Sequence, residues 1–133
     1  MSDLSKPTII PMLYIKHEEG VAALEFYKKA FGATIFRKFD DDDGTVHIAE
    51  LEIAGTMLRF HEDKIEAGLL SPHTNGGTTT NIGLRVANPD AVFAQAITGG
   101  AKEVSPVQDY FYGYRSGDVL DPFGHLWSIE KVI

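Results

Sequence analysis

Six side chains could between them build a reactive or binding site: Glu50, Arg59, His61, Arg85, Arg115 and Glu130. His61 is by type an acid-base group or a metal ligand, the carboxylates are bases or hard ligands, and the guanidiniums are fork-shaped anion clamps. What they can do depends on which share a face. A strand sends alternate side chains to opposite faces, so counting residues outward from each turn decides it.

Around the two-residue link Ala54-Gly55, the count sets Ile53 opposite Thr56, Glu52 opposite Met57, Glu50 opposite Arg59 and Ile48 opposite His61. Glu52, Met57, Glu50, Arg59, Ile48 and His61 share one face; the other carries Ala49, Leu51, Ile53, Leu58 and Phe60, and must be the one that helices cover. A second turn is written in Asp121-Pro122-Phe123-Gly124, where Asp bonds its own backbone, Pro presets φ and Gly closes without strain. Counting outward from it pairs Leu120 with His125, Gly117 with Ser128 and Arg115 with Glu130. Each hairpin thus predicts a Glu–Arg pair on the face that helices leave open. Pro11, Leu13 and Ile15 are expected there from the first strand, and Asn81, Gly83 and Arg85 from its counterpart. Tyr110-Phe111-Tyr112-Gly113-Tyr114 adds an aromatic run that an open surface explains poorly. With Met57 and Leu126 it makes the open face read as a cleft with apolar walls and a few polar groups. A solvated outer face and a subunit interface are the alternatives.

The elements that position these groups are duplicated. The apolar helix ending at Gly32-Ala33 returns as one ending at Gly100-Ala101, and the hairpin around Gly55 returns around Gly124. Unit one, residues 8–62, reads as strand Thr8 to Lys16, helix Val21 to Phe31, strand Ala33 to Phe39 and the hairpin Thr45 to His61. Asp40-Asp41-Asp42-Asp43-Gly44 reads as a solvated hairpin loop, because it lacks the alternating oxygens and distant Glu of a calcium loop. Residues 63–80 form a polar connection, either a joint or a flap. Unit two, 81–131, repeats the order with strand Asn81 to Val86, a helix opened by Asn88-Pro89-Asp90, strand Lys102 to Val107 and the final hairpin. The expectation is an α+β fold in one domain over 1–133: two tandem βαβββ units whose curved mixed sheets surround a cleft.

Bulk properties narrow the function. A hydrophobic fraction of 44% in 133 residues suffices for one core. The absence of cysteine removes disulfides, thiolate catalysis and zinc ribbons, and fits a reducing, cytoplasmic setting. A net charge of −7 without a basic cluster argues against nucleic acid. No signal segment or membrane span is expected, since the N-terminus has no apolar stretch and no run reaches about 18 apolar residues.

The tandem units, the helix Ala23-Leu24-Glu25-Phe26-Tyr27-Lys28-Lys29-Ala30-Phe31-Gly32 and the ending Asp121-Pro122-Phe123-Gly124-His125-Leu126-Trp127 resemble the vicinal oxygen chelate superfamily: glyoxalase I, bleomycin resistance proteins and extradiol dioxygenases. Within it they look most like small bacterial glyoxalase-like proteins labelled demethylubiquinone methyltransferase-like. The resemblance implies a homodimer. It also implies a divalent metal held at one position on the first and last strand of each unit, which here are Pro11, Arg59, Asn81 and Ser128. Those residues are not a metal-binding set, and a guanidinium would stand where the cation belongs.

The expected function is therefore small-molecule binding of the bleomycin-resistance kind without the usual metal. Arg59, Arg85 and Arg115 would orient an anionic or polar ligand, Glu50 and Glu130 would hold the guanidiniums, and Tyr112, Tyr114, Met57 and Leu126 would form the wall. The alternatives are a metal-dependent lyase, isomerase or dioxygenase with a displaced site at His61, Glu130 and Glu50, an acid-base enzyme using His61, and a structural dimer. His17 and His73 read as loop residues, His47 as a strand end and His125 as a hydrogen-bond partner of backbone.

Overall fold

The computed structural model describes residues 5–133. Residues 1–4, part of the N-terminal segment read above, lie outside the described residues. Among the described residues eight strands form two four-stranded sheets: β1 Met12–Ile15, β2 Thr34–Asp40, β3 Val46–Ile53 and β4 Thr56–Glu62 in the order β1-β4-β3-β2, then β5 Asn81–Arg85, β6 Lys102–Tyr110, β7 Tyr114–Leu120 and β8 Leu126–Val132 in the order β5-β8-β7-β6. In each sheet the first strand runs parallel to the last and the other pairings are antiparallel, so the predicted duplication is seen in the topology.

Helix α1, Gly20–Phe31, follows a 3-10 turn over His17–Glu19 and ends where Gly32 takes φ +67°, the left-handed conformation glycine adopts without penalty. The connection contains the single-turn helix α2, Pro72–Asn75. Helix α3, Pro89–Gly99, starts as its sequence requires, with the Asn88 side chain accepting the Ala91 N–H at 3.1 Å.

Helices α1 and α3 lie on one side of the sheets over a shared core. Leu51 and Phe60 from the first sheet and Val119, Trp127 and Ile129 from the second are all buried with Tyr27 of α1. The Tyr27 ring touches Phe60, Phe123 and Trp127 at centroid distances of 6.4, 6.1 and 5.8 Å, which puts the seam between the units at the centre of the molecule. Asp121 is buried in the same seam and holds it. Its Oδ2 accepts from the Tyr27 hydroxyl at 2.6 Å and from Trp127 Nε1 at 3.0 Å, while its Oδ1 accepts the backbone N–H of Phe123 and His125. Four donors replace the water this carboxylate loses.

The first hairpin has the expected register, Glu50 against Arg59 and Ile48 against His61, through a two-residue turn in which Ala54 and Gly55 have φ of 52° and 79°. The second does not. Its turn closes between Asp121 and His125 around three residues, so Leu120 faces Leu126, Ser116 faces Glu130 and Arg115 faces Lys131. That one-residue difference turns Arg115 to the helix side. The first strand is also corrected: Leu13 and Ile15 are buried in the core, and Met12 and Tyr14 occupy the open face beside Arg59 and His61.

The connection is a joint tied to what lies beneath it. Asp63 accepts from the Ser71 N–H and the Thr74 hydroxyl, and Pro72 sits so close to Gly124 that a Cβ there would lie 2.6 Å from it.

Candidate functional site

The open face of the first sheet is held by a chain of charges. Glu50 lies between Arg37, at 3.2 Å, and Arg59, at 2.8 Å. Arg59 also directs Nη1 at Met12 Sδ, 3.6 Å away, and its Nε is buried without a partner among the described residues. His61 is buried, 2.6 Å from the Glu62 carbonyl through Nδ1, with the Tyr14 and His47 rings at 5.9 and 4.6 Å. Met57 stands opposite Glu52 on the same face.

The second sheet's open face is a hollow of about 380 Å³ walled by Tyr110, Tyr112 and Tyr114 and floored by Ser116, Asp118, Ser128 and Glu130. Alternation on β7 and β8 delivers the floor, and the aromatic turn between β6 and β7 delivers the wall. Tyr110 and Tyr112 stack at 5.2 Å, with Tyr112 reaching Tyr114 at 6.0 Å. Arg85 sets the rim. Its Nη2 lies 2.9 Å from Glu130 and 3.3 Å from the Tyr114 hydroxyl, and its guanidinium lies over the Tyr114 ring at 5.4 Å. Hydrogen bonding to Glu130 raises the Arg85 pKa. On the floor, Ser128 is shared by Asp118, at 2.7 Å, and Asn81.

Arg115 is not part of this hollow. Its guanidinium binds both carboxylate oxygens of Asp90 on α3 at 2.7 Å and Asp109 at 3.0 Å, which raises its pKa and lowers that of Asp90. The expected pairing with Glu130 is made by Arg85 instead. Leu126 is half-buried on β8, beside Asn81.

The four positions at which the resemblance places metal ligands meet two by two. Asn81 donates to Ser128 Oγ at 3.0 Å, and the Pro11 carbonyl accepts the Arg59 N–H at 2.9 Å. A guanidinium, an amide, a hydroxyl and a proline do not fit a divalent cation. The displaced set is also divided, with His61 and Glu50 on the first sheet and Glu130 on the second.

Among the described residues, metal-binding side chains converge elsewhere, at the end of the first sheet. His17, Asp41, Asp43, His47 and Glu62 form one connected cluster. The acidic run is thus not a bare solvated loop. Asp41 and Asp43 are tied to two histidines, and Asp43 is held down to about 2, first by the Thr45 N–H. His17 is raised to about 9, chiefly by Glu62 and then by Asp43. One further step of the hairpin count would have set His47 opposite Glu62. His17 and Asp41 come from loops whose approach no strand count predicts. Of the other histidines, His125 does reach backbone, the Tyr14 carbonyl at 2.8 Å, and His73 meets Glu19 at 2.6 Å.

Comparison with known proteins places this geometry. The profile of the Glyoxalase/Bleomycin resistance protein/Dioxygenase superfamily matches residues 20–129. The uncharacterised protein Mb0911c of Mycobacterium bovis is 34% identical over 131 residues, covering 96% of this chain and 85% of its own. The X-ray structure of the Arabidopsis thaliana product At5g48480 superposes with a TM-score of 0.75 at 26% identity, covering 93% of this chain and 98% of that one. The PhnB protein of Bacillus cereus shares the fold with a TM-score of 0.72 at 16% identity over 95% and 100% of the two chains.

Proposed function

Because the chain belongs to the Glyoxalase/Bleomycin resistance protein/Dioxygenase superfamily, a ligand-binding scaffold whose chemistry is set by the site it carries, we propose that it binds a small molecule without the usual metal. The observation that carries this reading is the tyrosine-walled hollow on the second sheet, in which Tyr112 and Tyr114 offer faces for stacking above Ser116, Asp118 and Glu130.

The charges select the ligand. Arg59 and Arg85 are already neutralised by Glu50 and Glu130, and Arg115 is engaged on the other side of the sheet. Asp118 is left with a serine as its partner on the floor. A flat aromatic ligand that is neutral or cationic fits this better than an anion, which would meet two carboxylates. Binding is favoured over turnover, because His61, the acid-base candidate, sits on the first sheet and not among the residues that line the hollow.

One chain leaves the open faces of both sheets uncovered. A second copy of the chain is the occupant this reading assigns to them. Its support is the apolar rim, where Phe111 is fully exposed and Tyr112, Val132 and Ile133 are more than half exposed.

The direct test is thermal shift against matched aromatic amines, neutral aromatics and aromatic carboxylates. Stabilisation by the first two classes that disappears in Tyr114→Ala supports the reading. Stabilisation by carboxylates alone would overturn the charge argument.

A further inference from the structure

At the end of the first sheet, two imidazoles and two carboxylates alternate around a ring. His47 Nδ1 lies 3.1 Å from Asp41 Oδ1 and 3.0 Å from Glu62 Oε2. His17 Nδ1 lies 2.9 Å from Glu62 Oε1 and 3.4 Å from Asp41 Oδ2. From these contacts we infer that Asp41, His47 and Glu62, closed by His17, form a binding site for a divalent transition-metal ion, separate from the hollow on the second sheet and from the positions at which the fold's usual metal would sit.

Three observations carry it. The first is size: a tetrahedral ion with bonds of about 2.0–2.1 Å has ligand-to-ligand edges of about 3.3–3.4 Å, and His47 Nδ1 lies 3.1 Å from Asp41 Oδ1 and 3.0 Å from Glu62 Oε2. The ligand atoms of Asp41, His47 and Glu62 all lie within 4.8 Å of one another.

The second is hydrogen-bond capacity. An imidazole nitrogen carries at most one proton, yet each Nδ1 here faces two carboxylates. Asp41 and Glu62 both face the same two imidazoles, an arrangement of two carboxylates that positive charge between them stabilises. Glu62 is largely buried, so water supplies little of that compensation.

The third is the surrounding support. His17 places its other nitrogen, Nε2, 2.6 Å from Asp43, and Asp43 accepts both the N–H and the hydroxyl of Thr45. Asp41 Oδ2 lies 2.9 Å from the same hydroxyl oxygen. A carboxylate behind the far nitrogen of a ligating histidine, itself pinned by further bonds, is how metal sites fix ring orientation and tautomer. Two imidazoles with two carboxylates suit zinc, cobalt or nickel and not calcium or magnesium, which take oxygen alone. Three converging ligands from Asp41, His47 and Glu62, with His17 against both carboxylates, make the ion a staple. It would join the segment after β1, the turn between β2 and β3, the start of β3 and the end of β4.

The test uses the full chain stripped with chelator and titrated with zinc and, separately, cobalt, read by calorimetry and by cobalt absorption. One equivalent should bind, cobalt should give the intense visible spectrum of a tetrahedral site, and the melting temperature should rise. His47→Ala and Glu62→Gln should weaken binding at least about 100-fold, and Asp43→Asn about tenfold, as for a supporting group. Far-UV circular dichroism confirms that each variant is folded. If His47→Ala does not fold, Glu62→Gln, which keeps the side chain's shape, decides the matter. No binding in the wild type, or binding that survives Glu62→Gln, overturns the proposal. Equal binding of calcium overturns the choice of metal.

Discussion

The Tyr27 hydroxyl donates to Asp121 Oδ2 at 2.6 Å, joining a helix of the first unit to the closing turn of the second. The Asp-Pro-Phe-Gly turn is therefore more than a local device. Its aspartate folds its own loop with Oδ1 and latches the neighbouring unit with Oδ2.

Tyr27→Phe should cost about 1.5–3 kcal/mol, the range for a lost bond to a buried charged group. Asp121→Ala strands four donors at once and should cost more than about 3 kcal/mol. Urea unfolding measures both, with an unchanged m-value expected for Tyr27→Phe.

The same pair sets an alkaline limit. Burial, and next the charge of Asp121, hold the Tyr27 phenol well above its ordinary 10.0. Above that pH the unfolded chain releases this proton and the folded chain keeps it, so stability is retained below pH 10 and falls as pH rises beyond it. In Tyr27→Phe this part of the decline should be absent. Melting curves taken from neutral pH to beyond 10 on wild type and variant separate it from the other tyrosines.

Gly117 lies directly beneath α3. A Cβ there would stand 2.7 Å from Val107 and 2.9 Å from the Phe93 ring. Gly117→Ala should therefore destabilise by about 1–3 kcal/mol through overpacking. An unchanged melting temperature would mean that α3 sits farther from β7 than described.

Arg85 and Arg115 differ in face, and should differ in consequence. Arg85→Ala frees Glu130 and uncovers Tyr114, so affinity for an aromatic ligand should change by at least about tenfold. Arg115→Ala breaks the link to Asp90 and should lower the melting temperature while leaving affinity within about twofold, since it touches nothing in the hollow. Calorimetry on both variants makes the comparison.

A second copy covering the open faces predicts a molecular mass by light scattering of twice the 14.6 kDa chain. Replacing the fully exposed Phe111 by Asp should shift that mass toward the single chain. A wild-type mass of one chain would remove the dimer from this account.

The fold was legible because both copies of the unit carry the same turn and helix-stop signals. The period-two pattern of β3 and β4 also fixed which face helices cover. The placement of Arg115 was not legible. A Pro-Phe-Gly turn closes one residue later than a four-residue count assumes, and strand periodicity converts that single step into the opposite face. Leu13 and Ile15 went astray for a different reason: one isolated strand carries no turn to count from. The cluster around Glu62 was half legible: His47 follows from the hairpin register, whereas His17 and Asp41 arrive through loops whose meeting is a tertiary event.

The most direct test of the central claim is two-dimensional NMR of the labelled protein titrated with a small library of aromatic amines and aromatic acids. Binding as described predicts saturable shifts at Tyr112, Tyr114, Ser116, Ser128 and Glu130, caused by neutral or cationic compounds and lost in Tyr114→Ala. Shifts confined to the first sheet around Arg59 and His61, or produced only by the acids, would contradict it.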